Sequence, residues 1–141
     1  MLYEIDTVGF FISRAQANLR KRFLKNLRSY DITPEEWVLF VRLSEEEGIS
    51  LTDLSKTSLR DKPYTSRLVD KMEKKGLIRK EESQNDKRSS SIYLTEKGTT
   101  SREEINLVII ELNRWEMEVF SKKEIEELKF LLNKLYKHVK F

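Results

Sequence analysis

Apolar residues recur at intervals of three and four along most of the 141-residue chain, and alternate only in one short stretch past the middle. The first stripe predicts a helix over residues 4–29, with Ile5, Val8, Phe11, Ile12, Ala15, Leu19, Phe23 and Leu27 on one side and Gly9 as a weak spot. Thr33-Pro34-Glu35-Glu36 then has the form of a helix start. Threonine caps, proline suits the first turn, and Glu36 can reach back to close a capping box. The helix that follows is expected to bury Trp37, Phe40, Val41 and Leu43 or their neighbours and to stop at Gly48 in a left-handed conformation. Ser50-Leu51-Thr52-Asp53 opens a stubby helix to about Thr57 with Leu51 and Leu54 inward, and KPYTSRLVDKMEKKG reads as another helix ending at Gly76. Two short helices joined by a tight turn outline a helix-turn-helix.

After Gly76, residues 77–82 and 91–95 read as short strands around the loop SQNDKRSS, a β-hairpin with Ile92 and Leu94 on its inner face. Thr95-Glu96-Lys97-Gly98 restarts a helix, and Ile105, Val108, Ile109, Leu112, Trp115, Val119 and Phe120 continue the helical spacing. Ser121-Lys122-Lys123-Glu124 is a second capping box, ahead of Ile125, Leu128, Leu131, Leu132, Leu135, Val139 and Phe141. The expected fold is mainly α with a small β-wing, in one continuous unit without repeats or linkers.

Composition narrows the chemistry. Without cysteine there is no disulfide, thiolate or Cys-based zinc site. The single histidine, His138, lies on a helical surface near the C-terminus, and the sequence holds no HExxH motif or glycine-rich phosphate loop. Neither catalysis, nor a cofactor, nor a metal is expected. No apolar run approaches the ~20 residues of a membrane span, and the start of the chain lacks a basic leader with a small-residue cleavage site, so a cytoplasmic protein with no membrane partner is expected. The net charge of +3 is unevenly spread. Residues 14–28 hold six Lys/Arg and no acid, and residues 60–88 hold ten against six. Sorted basic charge favours a polyanionic partner, although the bland account of any one block is a solvated helix face.

On the helix before Gly76, Thr65, Leu68, Val69 and Met72 project to one side as core. Pro63, Ser66, Arg67, Asp70 and Lys74 project opposite, flanked by Lys62, Tyr64 and Lys71. Hydroxyls and cations thus gather near a helix N-terminus, which itself favours phosphate. Lys71, Lys74 and, at the hairpin tip, Lys87 suit phosphate contact, which adds affinity and salt dependence without sequence choice.

Taken in order, SLTDLSKTSLRDKPYTSRLVDKMEKKGLIRK and NDKRSSSIYLTEKG resemble the MarR-type winged helix-turn-helix transcription regulators, and the likeness of layout covers essentially the whole chain. The resemblance implies a single domain over 1–141, with a winged-helix DNA-binding region at 33–98 and dimerisation helices at 1–30 and 99–141. It implies that Lys62, Pro63, Tyr64, Ser66 and Arg67 contact bases and phosphates in the major groove. Arg88 would enter the flanking minor groove, where negative potential concentrates, and Asp86 would orient Arg88. Tyr64 departs from the small hydroxyl residue common at its position, so the target sequence does not carry over.

Leu2, Tyr3 and Phe10 at one end and Leu131, Leu135, Tyr136, Val139 and Phe141 at the other would leave a sticky monomer. A homodimer on a pseudo-palindromic double-stranded DNA operator follows, with repression the family's commoner mode. The family also implies a small aromatic or anionic effector. Arg14, Arg20, Trp37 and Phe40 are candidates for its pocket, while the bland reading leaves the arginines solvated or on phosphate. The alternative function is a winged-helix dimer that docks another protein.

Overall fold

The computed structural model describes residues 7–58, 60–82 and 90–139. The first helix, α1 (Val8–Leu27), begins at Val8 because Thr7 is extended and its hydroxyl accepts from the Phe10 amide. The expected residues 4–6 lie outside the described chain. Only Leu27 of α1 is buried, and Val8, Phe11 and Leu19 are half or more exposed. A 3-10 turn (Arg28–Tyr30) closes at Asp31, whose φ of 50° is left-handed.

Helix α2 (Pro34–Arg42) has the expected capping box, with Thr33 Oγ1 accepting from the Glu36 amide and Glu36 Oε2 accepting from the Thr33 amide, both at 3.2 Å. Phe40 and Leu43 are buried as expected, while Trp37 and Val41 give way to their neighbours Glu36 and Leu39. Glu36, Leu39, Phe40 and Leu43 are inside, Trp37 is partly buried and Val41 is 54% exposed. These positions are i, i+3, i+4 and i+7, and their first member is an acid. A pattern read from apolar residues alone passes over Glu36. The helix also ends at Arg42, short of the expected stop, with extended Leu43 at its C-cap. Gly48 is not left-handed. It is needed for close approach, since a Cβ there would sit 2.6 Å from Ser91 Cβ and from the Tyr93 ring.

That approach makes a strand that periodicity did not predict: β1 (Ile49–Ser50) pairs antiparallel with β3 (Ser90–Leu94), which pairs with β2 (Ile78–Glu82) in the order β1-β3-β2. Ile78, Ile92 and Leu94 are buried on its inner face. Between β1 and β2 lie α3 (Leu51–Ser58), opened by Ser50 Oγ accepting from the Asp53 amide, and α4 (Lys62–Lys74). Their packed faces bring Leu54, Thr65, Val69 and Met72 into the core with Phe40 and Leu39.

Gly76, at φ 76°, ends α4. Its amide donates to Glu73 O and the Leu77 amide to Met72 O, the paired bonds of a Schellman stop. Thr95-Glu96-Lys97-Gly98 then seats α5 (Glu96–Leu112) on this turn. Thr95 Oγ1 donates to Gly76 O at 2.6 Å and accepts from the Gly98 amide, and Lys97 Nζ donates to Lys75 O. A Cβ on Gly98 would lie 2.0 Å from Leu77 O, so only glycine lets the two segments meet.

The helical run expected beyond Leu112 is broken by a turn at Asn113-Arg114, then resumes as α6 (Trp115–Val119) and α7 (Lys122–His138). Ser121 and Glu124 close the capping box of α7, and the amide and hydroxyl of Ser121 hold the Glu124 carboxyl below its ordinary pKa. The chain divides into two compact units at Val108–Ile109. In the second unit Leu128, Phe130, Leu131, Leu132, Leu135, Tyr136 and Val139 are all exposed.

Candidate nucleic-acid interface

Helix α4 starts where Asp61, extended, accepts the Tyr64 amide on Oδ1 at 2.7 Å. Pro63 fits the first turn, where no intrahelical donor is lost. The Thr65 hydroxyl donates back to Asp61 O at 2.9 Å, which satisfies a buried polar atom. With Thr65, Val69 and Met72 inward, the opposite side presents Lys62, Pro63, Arg67, Asp70, Lys71 and Lys74 to solvent, while Tyr64 and Ser66 are partly buried. The structure therefore brings together on one helix all the candidate residues of the chain's middle. Asp86, Lys87 and Arg88 lie outside the described residues.

Two of the exposed charges are already engaged. Asp70 pairs with Lys80 of β2, which also lies 3.8 Å from Glu73. The hydrogen bond to Asp70, opposed by partial burial and aided by the charges of Asp70 and Glu73, raises the Lys80 pKa above its ordinary value. Lys71 lies 3.2 Å from Glu36 Oε1. Glu36 is fully buried, and Lys75 Nζ approaches it at 3.2 Å while donating to Asp31 O at 2.6 Å. One carboxylate on α2 thus receives the Thr33 amide, Lys71 of α4 and Lys75 at its C-cap, tying the end of α4 to a buried charge. Among the described residues no acid pairs with Lys74.

Arg60, in the turn before α4, was not singled out from sequence although it belongs to the basic block. Its guanidinium carbon is 5.2 Å from the Tyr64 ring centroid, and that of Arg67 is 5.8 Å away. Arg79 of β2 similarly covers Tyr93 of β3 at 4.2 Å. Arg79 also pairs with Glu81 of the same strand, so of these arginines Arg60 and Arg67 are the ones that add positive charge beside α4.

Behind α4, a cleft of about 420 Å³ is walled by Leu19, Phe23, Pro34, Val38, Leu39 and Leu68, with Gln16, Ser58, Arg20, Glu35 and Arg60 at its polar parts. Arg20 Nη1 donates to Glu35 Oε1 at 2.5 Å across α1 and α2. Partial burial pushes the Glu35 pKa up, but its own backbone amide, Arg20 and the charge of Arg60 outweigh this and leave it below its ordinary value. Of the four residues expected to form a pocket, Arg20 lines this cleft and the others do not. Phe40 is wholly inside the core, Trp37 tilts against Phe40, and Arg14 lies over the rings of Phe10 and Phe11. On α2 it is Val38 and Leu39, not Trp37 or Phe40, that line the cleft. Among the described residues no cluster of His, Cys, Asp and Glu could hold a metal, and no helix is long and apolar enough to cross a membrane.

Comparison with known proteins agrees with this geometry. The MarR family model matches residues 32–90, the stretch from two residues before α2 to the first residue of β3. The HTH-type transcriptional regulator BilQ of Clostridioides difficile is 25% identical over 125 residues, covering 89% of this chain and 84% of BilQ. In fold, the chain is similar to S. aureus MepR in its DNA complex, with a TM-score of 0.87 at 24% identity over 94% of this chain and 98% of MepR. It is similar also to Bordetella bronchiseptica BpsR, whose DNA binding is regulated by 6-hydroxynicotinic acid, with a TM-score of 0.88 at 18% identity over 99% of each chain. The helix-turn-helix and most of the appended sheet fall within the matched segment, so residues 32–90 match the MarR family and the chain is similar in fold to winged helix-turn-helix proteins of that kind.

Proposed function

We propose that the protein is a double-stranded DNA-binding transcriptional regulator, acting as a homodimer on a pseudo-palindromic operator and repressing from it. The observation that carries this reading is the set of exposed cations Lys62, Arg67 and Lys74 on a helix whose opposite side is locked into the core. Such a helix presents base-reading and phosphate-binding groups together, at a width the major groove accepts. Arg67 reads base edges, and Lys62 and Lys74 contact phosphate. Arg88, Lys87 and Asp86 are assigned to the wing tip on the basis of the sequence resemblance. The exposed apolar surfaces of α1 and α7 are the dimer contact, which would place two copies of α4 about one helical turn apart. A cytoplasmic, non-enzymatic role fits regulators of this kind. Selection of bound sequences from a random duplex library tests the reading. The expected result is a two-fold symmetric consensus, and recovery of unrelated sequences at low salt would overturn it.

The cleft between α1 and α2 supports control by a small aromatic anion. Its volume lies within the ~300–1,000 Å³ usual for small-molecule sites, its walls are apolar, and two arginines, Arg20 and Arg60, share its polar parts with the single acid Glu35, leaving a net positive charge. Calorimetric titration with aromatic carboxylates should give saturable heat that Arg20→Met removes. Binding that is unchanged by Arg20→Met would place the ligand elsewhere.

A further inference from the structure

Tyr64 stands in the first turn of α4, its amide fixed by Asp61 and its side chain partly buried. Two cations lie within 6 Å of its ring, Arg60 from the preceding turn and Arg67 from one turn further along the helix. The ring face carries the negative lobe of an aromatic quadrupole and attracts guanidinium groups. The same ring limits the rotamers of two long side chains that would otherwise be free at an exposed surface. An arginine already held in one plane loses less freedom when it forms its paired hydrogen bonds. Bidentate binding to the O6/N7 edge of guanine demands that kind of alignment.

We propose that Tyr64 is a specificity-determining positioning residue: its ring, gripped by Arg60 on the helix-start side, holds the Arg67 guanidinium in the orientation that reads a guanine in each half-site. The proposal rests on the DNA-reading function above. The aromatic face does this work and the phenolic hydroxyl does not. Tyrosine at this position thereby substitutes a stacked platform for a direct hydroxyl contact to DNA.

The test uses the full chain with Tyr64→Phe, Tyr64→Leu, Arg67→Ala and the double substitution Tyr64→Leu/Arg67→Ala. Each is measured on the duplex selected by the wild type, on a scrambled duplex, and in a fresh selection. Tyr64→Phe should select the wild-type consensus with wild-type affinity. Tyr64→Leu should keep the half-site spacing, lose the guanine at one symmetry-related pair of positions, and bind the selected duplex about tenfold more weakly, the low end of one bidentate contact's discrimination. Its affinity for scrambled duplex should stay within about twofold, because phosphate contacts carry non-specific binding. The double substitution should be no weaker than Arg67→Ala alone, since the ring acts through that arginine. The proposal is overturned if Tyr64→Leu selects the wild-type sequence, if the two losses multiply in the double variant, or if scrambled binding falls in parallel with selected binding, which would make Tyr64 merely structural. A wild-type protein that prefers no duplex would instead overturn the DNA-reading function itself, a result visible before any variant is made.

Discussion

At the scale of single residues, Glu36 shows how a charged side chain can belong to a core. It is 0% exposed, yet its oxygens receive the Thr33 amide, Lys71 and Lys75. Removing one partner of a buried pair leaves the others desolvated and uncompensated. Glu36→Ala should therefore cost about 3 kcal/mol, toward the low end of such losses because Lys71 remains half solvated. Urea unfolding would show this as a lower midpoint at constant slope, and a loss below about 1 kcal/mol would mean that the lysines re-solvate freely. Gly98→Ala is expected to cost about 3 kcal/mol by the same measurement, through overpacking against Leu77 O. Glu36 also marks where sequence reasoning ran short. Its capping role was legible from Thr33-Pro34-Glu35-Glu36, but its burial was not, because the two lysines that neutralise it come from 35 and 39 residues further along the chain.

Among the elements, those announced by local chemistry were legible. Both capping boxes, the Gly76 stop, the inward side of α4 and the β2–β3 hairpin all depend on residues near one another in sequence. β1 was not legible, since two residues are too few to show alternation and the strand exists because Gly48 lets the backbone approach Tyr93. The α1–α2 junction yields a pH prediction. The folded pKa of Glu35 lies below its ordinary 4.5. Its ion pair with Arg20 therefore contributes stability fully above that value, and the contribution fades as pH falls through the folded pKa. The stability difference between wild type and Glu35→Gln should shrink on acidification below pH 4.5, as followed by thermal melts. A difference that stays constant with pH would show that Glu35 acts through packing alone. Within α4, Lys74→Ala should lower the slope of log affinity against log salt by about 0.9. Lys71→Ala should lower it less, because Glu36 already neutralises that charge. Equal slopes for both variants would contradict the assignment of Lys71 to an internal pair.

For the whole molecule, the exposed apolar side of α7 is the feature the sequence made plainest, through an unbroken run of helical spacing. In the proposed dimer, Leu131→Glu with Leu135→Glu should give a monomer in analytical ultracentrifugation and abolish cooperative occupation of a two-half-site duplex. A double variant that still sediments as a dimer would move the contact elsewhere. Arg60 joins the two proposed roles, for its side chain both borders the cleft near Glu35 and rests on the ring of Tyr64. One side chain cannot satisfy an anionic guest and a tyrosine face equally at the same moment. Under the proposed function, a substitution at residue 60 is therefore expected to shift operator preference and effector preference together, so the two would evolve as a pair.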